Sequence, residues 1–151
     1  MNRPGRRRFV AGLAGAMALP VVSRAAGAQI DSLDPMVWVF TKGVPVQKGR
    51  VKLELPVLAD NGNSVPLTVT VDSPMSATEY VKSIHLFSEK NPVRDMARFY
   101  LGPRGGRAKV VTRVRLAGTQ TVTAIAALSD GSFWSDSAHV QVTLSACMDE
   151  S

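Results

Sequence analysis

From Val51 to Leu144 the chain repeatedly alternates apolar and polar residues, the period-two pattern of strands that bury one face. Val51-Lys52-Leu53-Glu54-Leu55 alternates until Pro56, which has no N–H to offer a ladder. Asp60-Asn61-Gly62-Asn63 reads as a turn, with Asn61-Gly62 suited to positive φ. Val65, Leu67, Val69 and Val71 then fall on one face and are the leading core candidates. Ser73-Pro74-Met75-Ser76 reads as a crossing loop, after which Tyr80 to Phe87 alternates through Val81, Ile84 and Leu86. Glu89-Lys90-Asn91-Pro92 breaks that strand, and Ala97 to Leu101 forms a short one before the Gly102–Gly106 turn.

Further on, Val110, Thr112, Val114 and Leu116 share one face, while Val111, Arg113 and Arg115 share the other. Thr119 to Leu128 places Val122, Ala124, Ala126 and Leu128 inward, and Ser129-Asp130-Gly131-Ser132 turns the chain. Phe133 and Trp134 add apolar area before a final strand, Ala138 to Leu144. About seven short strands with regular turns and no long helical pattern predict an all-β fold. The architecture expected is an immunoglobulin-like β-sandwich of two antiparallel sheets, without the Cys-Trp-Cys signature of antibody domains. No repeat or second domain is visible.

Ahead of the strands, Met36 to Phe40 forms an apolar flap after Asp34-Pro35. Pro35 capped by Asp34 suits a helix start, while the β-branched and aromatic content suits a strand, so the pattern leaves its type open.

Charge changes the picture at the N-terminus. The chain carries 18 Lys and Arg against 12 Asp and Glu, a net charge of +6 that would suit nucleic acid or an anionic membrane. Yet Arg3, Arg6, Arg7, Arg8 and Arg24 precede residue 29 and no acid does, so the remainder holds 13 basic against 12 acidic residues. Arg6-Arg7 precedes an apolar stretch, Phe9 to Val22, broken by Gly12, Gly15 and Pro20. Ala26-Gly27-Ala28 supplies the small-x-small pattern of a signal peptidase site. Residues 1–28 therefore read as a twin-arginine signal peptide, with export to the periplasm, no stable membrane insertion and no nucleic-acid partner. The expected divisions are the signal at 1–28, an apolar segment at 29–50, the sandwich at 51–144 and a flexible C-terminal arm at 145–151.

That arm holds the sole cysteine, Cys147. In an exported protein an odd cysteine suggests an intermolecular bond or a reactive thiol. Asp149 and Glu150 lie close to it and disfavour the thiolate, so a partner must supply positive charge where the thiol reacts. His85 and His139, with Cys147 and Met148, make a ligand set that suits copper. Both histidines lie in alternating strands far apart in sequence, so they are expected at the surface and no metal is assigned. Arg104-Gly105-Gly106-Arg107 lacks the strand-to-helix turn of a phosphate loop. No catalytic residue and no cofactor is assigned, and a thiol enzyme would need a base beside its nucleophile.

Several segments resemble the SoxY family, the sulfur carriers of periplasmic thiosulfate oxidation. They are Leu53 to Pro66, Glu89-Lys90-Asn91-Pro92, Ala97-Arg98-Phe99, Thr112 to Leu116 and Asp130-Gly131-Ser132. The resemblance implies an Ig-like sandwich that pairs with a second Ig-like subunit, SoxZ, and a non-catalytic carrier served by periplasmic redox or sulfur-processing enzymes. It also implies that Cys147 is the covalent attachment site for a sulfur intermediate. That family ends in Gly-Gly-Cys-Gly-Gly, whereas this chain has Ser145-Ala146 before the cysteine and Met148-Asp149-Glu150 after it. Its ending is more similar to the SoxY-related "AACIE arm" proteins. The alternative reading is an Ig-like periplasmic binding module whose cysteine carries no cargo.

Overall fold

A computed structural model describes residues 35–145, so Asp34, the signal segment and Cys147 lie outside the described residues. The order is one helix and nine strands: α1 (Pro35–Thr41), β1 (Val46–Lys48), β2 (Val51–Glu54), β3 (Leu58–Asn61), β4 (Val65–Val71), β5 (Val81–Ser88), β6 (Asp95–Tyr100), β7 (Lys109–Val114), β8 (Gln120–Leu128) and β9 (Phe133–Leu144). They form two facing sheets, a six-stranded one ordered β1-β9-β8-β5-β6 with β3 also on β9, and a three-stranded one ordered β2-β4-β7. The sandwich is as expected, with nine strands in place of seven. The two extra strands, β1 and β3, both pair with β9 in parallel, so the large sheet is mixed.

Alternation explains the core. Val65, Leu67, Val69 and Val71 are all buried on the inner face of β4. They meet Val122, Ala124, Ala126 and Leu128 of β8, with Ile84 and Leu86 of β5, in one apolar cluster. Val114 and Leu116 close it from the β7 side, leaving Val111, Arg113 and Arg115 exposed on the outer face. Asp136 of β9 ties the layers together, its Oδ2 accepting the Leu53 N–H of β2 at 2.9 Å.

Strands β5 and β8 are covered on their outer faces too, because the flap is a helix lying across them. Val37 packs on Phe87 and Ile125, with Phe40 and Phe133 beside them. The helix ends at Thr41, where Lys42 and Gly43 take positive φ (53° and 78°) and Gly43 N–H returns to the Trp38 carbonyl. Phe40 stacks on His85 with ring centroids 3.8 Å apart. His85 is therefore buried, which corrects the expectation of a surface histidine; His139 is exposed as expected.

Ile84 is fully buried between the layers. Ile84→Ala should lower stability by about 3 kcal/mol, read as a shift of the urea midpoint at unchanged slope. A loss below about 1 kcal/mol would mean that the sandwich is not packed as described.

Candidate functional site

The site predicted from the sequence, the thiol of Cys147, lies outside the described residues, and the structure describes the end of β9 that precedes it. Strand β9 runs for 12 residues and is gripped on both sides as it nears its end. Its Gln141, Val142 and Leu144 pair with Leu58, Ala59 and Asn61 of β3. On the other side it pairs with β8 from Gln120↔Val140 onward. Beyond that ladder the Thr119 hydroxyl accepts the Val142 N–H at 3.0 Å.

Gly62 completes the end of the sandwich. Its N–H donates to the Leu144 carbonyl at 2.7 Å, and its own carbonyl accepts the Leu116 N–H at 2.8 Å. The Asn61-Gly62 turn thus joins the exit of the last strand to the β7–β8 connection. That connection comes close to the chain's exit: a Cβ added to Gly118, whose φ is +148°, would sit 3.4 Å from the Ser145 hydroxyl oxygen.

Asn91, read from the sequence only as part of a strand breaker, organises the same end. Its Nδ2 donates to the Arg115 carbonyl at 2.8 Å, and its Oδ1 accepts from Ala117 N–H and Gln120 Nε2, each at 2.9 Å. Gln120 is fully buried, so these bonds satisfy an amide that would otherwise be costly there. The signal available was the polar Gln120 opening an apolar strand. Nearby, Glu89 accepts the Thr121 N–H at 2.9 Å, and that bond holds its carboxyl below the usual range.

The two histidines are not brought together. His85 pairs with Ile125 and His139 with Thr121, which places them about 10 Å apart across the sheet and about 13 Å along it. No group of three or more His, Cys, Asp or Glu among the described residues is placed to hold a metal ion. His85 instead borders a cleft of about 410 Å³ with Met36, Val39, Phe40, Asp95 and Arg98. Burial pushes its pKa below the ordinary 6.5, with Arg98 acting in the same direction and Asp95 against it.

A family model described as "Sulfur oxidation protein SoxY" matches residues 38–147, most of the chain. The chain belongs to the SoxY family. SoxY from Chlorobium limicola f thiosulfatophilum, titled a sulfur carrier protein, is similar to it, with 25% identity and a TM-score of 0.62 over 75% of this chain and 97% of that one. A superoxide reductase (neelaredoxin) from Ignicoccus hospitalis matches with 17% identity and a TM-score of 0.57, over 62% of this chain and 80% of its own. A putative superoxide reductase from Thermotoga maritima matches with 20% identity and a TM-score of 0.54, over 68% and 89%. At such identities the reductases share the fold alone. No curated protein matches the chain by sequence. The match to the SoxY model includes the Asn61-Gly62 turn, Asn91 and Gln120, so the end of β9 described above lies within the SoxY region.

The buried His85 gives a test of the cleft. In the unfolded chain it takes up a proton near pH 6.5, but in the folded state only at lower pH. Acidification through that window therefore favours unfolding, and the His85 contribution to stability is lost as the pH falls. His85→Phe, which keeps the stack on Phe40, should narrow the difference between urea midpoints at about pH 7 and about pH 5. An unchanged difference would remove His85 from the account.

Proposed function

We propose that this chain is a periplasmic sulfur carrier in which Cys147, on the segment after β9, holds a sulfur intermediate covalently. The observation that carries the reading is that the SoxY-family match runs through the end of β9 and includes Cys147. In loading, the Cys147 Sγ–H bond is lost and an S–S bond forms to a sulfur atom of the donor. The proton goes to solvent and two electrons pass to a partner redox enzyme. The chain itself supplies no catalytic group in this step. Its work is to present the thiol.

Ala146 and Met148 flank the thiol where the family carries glycines. Side chains there need a wider cleft in the partner than glycines would. This ending is the reason to place the chain with the AACIE-arm branch, where the cargo need not come from thiosulfate. A SoxZ-like Ig-fold subunit is the proposed standing partner. The exposed strand edges β6 and β7 and the apolar side chains of Met36, Trp38 and Val39 offer area for it.

Cys147→Ser should leave folding and association with a coexpressed SoxZ-like subunit unchanged and abolish loading, because an alcohol forms no persulfide-type link. Intact mass of protein from cells using a sulfur substrate reads the loading, and size measurement reads the association. Bare mass in wild type, with pathway activity surviving the substitution, would replace the carrier with a plain Ig-like module. A wild-type chain that stays monomeric beside the candidate subunit would remove that partner.

Export rests on Arg6 and Arg7. Replacing both with Lys should leave uncleaved precursor in the cytoplasm, seen by fractionation and immunoblot. Unchanged export of the double variant would reject the twin-arginine assignment.

A further inference from the structure

The outer face of the large sheet carries an apolar cleft, and one polar atom in its lining is left unserved by the rest of the chain. Helix α1 and strands β5 and β6 enclose about 410 Å³, within the range of about 300–1,000 Å³ usual for small-molecule sites. Met36, Val39, Phe40 and Phe87 line it, and the ring of His85 stacks on Phe40. Asp95 and Arg98 complete the polar part of the lining. Apolar walls with a few polar groups are what hold a small ligand in one orientation.

Asp95 reaches this lining through an irregularity in the sheet. Leu86 pairs with Ala97, so an unbroken ladder would set Met96 opposite Phe87. The register shifts at that point, and Asp95 takes the place instead. Bulges re-aim side chains in this way, often beside functional sites. The Asp95 side chain is only 11% exposed. Its Oδ2 accepts from Arg98 Nε at 2.8 Å. Its Oδ1 is buried and has no hydrogen-bond partner among the described residues. Burying a carboxylate oxygen without a partner is costly, so this position calls for a donor.

Charge and shape narrow the donor further. Arg98 balances the charge of Asp95, and burial holds the His85 pKa below 6.5, so the lining is close to neutral at pH 7. A neutral ligand therefore suits it better than an ion. The neighbouring rings of Phe40, His85 and Phe87 favour a flat aromatic body.

We propose that this cleft binds a small, neutral aromatic molecule whose N–H or O–H group donates to Asp95 Oδ1, its flat body lying against α1 and the outer face of β5. A molecule of the same shape without the donor would seal Oδ1 from water and leave it unpaired, so the site selects for the donor. The cleft holds more than one side chain would fill, which favours a free molecule over the tip of a partner protein. Met36 and Val39 also belong to the area offered to a partner subunit, so the ligand and that subunit compete for them. The inference does not rest on the carrier reading, since no residue beyond Ser145 takes part.

Indole and 1-methylindole are suitable probes, because they differ by a methyl group that removes the donor. Titrated into the isotope-labelled mature chain, indole should shift the amide signals of Phe40, Phe87 and Arg98. Those of Val69 and Val110, in the other sheet, should stay in place. 1-Methylindole should bind about tenfold more weakly or worse, because a hydrogen bond to a charged acceptor is lost. Asp95→Leu, with folding checked by its amide spectrum, should bring the two probes to equal affinity. Should that variant not fold, the preference of the wild type for indole decides alone. Equal affinities in the wild type would overturn the proposal, as would the absence of shifts at these amides in millimolar indole. So would shifts that a SoxZ-like subunit produces and indole does not, since the occupant would then be a partner side chain. Sulfur loading is read by mass and needs neither probe, so failure of the cleft and failure of the carrier are separate results.

Discussion

Strand β9 is the constraint on which the rest of the structure depends. Its 12 residues serve β8 on one side and both β1 and β3 on the other. Its Asp136 also crosses to the backbone of β2 in the second sheet. Buried backbone groups must find partners, and a strand with two sets of neighbours meets that demand along most of its length. Val140 is fully buried near its end, so the last stretch is fixed by packing as well as by hydrogen bonds. Displacing β9 would unpair three strands at once. Whatever follows Leu144 therefore starts from a rigid point.

Much of this was legible in the sequence, and the parts that were not share a cause. Strands β2, β4 and β7 bury one face only, so their alternation in the sequence is their alternation in the fold. Strand β5 is buried along both faces because α1, some 45 residues earlier in the chain, lies over its outer side. No local pattern around His85 announces that Phe40 will stack on it. The helix was ambiguous for the same reason, since a seven-residue segment is settled by what Val37 packs against. β1 and β3 are too short to show a period, and each exists because β9 offers a parallel neighbour. Asp60 and Asn61 belong to β3, although their composition signals a turn. The candidate thiol was visible as a lone cysteine, but the Asn91–Gln120 cluster near the end of β9 depends on contacts some 30 residues apart and was not.

Likeness to superoxide reductases shows how little a sandwich says about chemistry by itself. In this chain the one buried histidine is part of an aromatic stack under α1, and the other is exposed at β9, close to the Thr121 hydroxyl. The described residues that converge at the exit of β9 are of a different kind: Asn91, Gln120, the Thr119 hydroxyl and two glycine-containing turns. Neutral amides and hydroxyls make poor acids and bases but fix backbone geometry well. Such an end is suited to holding a strand still, and the reactive group need not belong to it.

Distance sharpens this division of labour. Cys147 lies two residues beyond Ser145, so its Cα can be no more than about 7 Å from a residue packed against Gly118. On the carrier reading proposed above, a partner enzyme would meet the thiol at the end bearing Gly62, Asn91 and Gly118. On that reading recognition falls on the loops at that end, where Asn91 fixes the Arg115 and Ala117 backbone. The proposal thus separates the chemistry of the cargo, which would belong to the sulfur of Cys147, from the choice of enzyme, which would belong to the rigid end of β9.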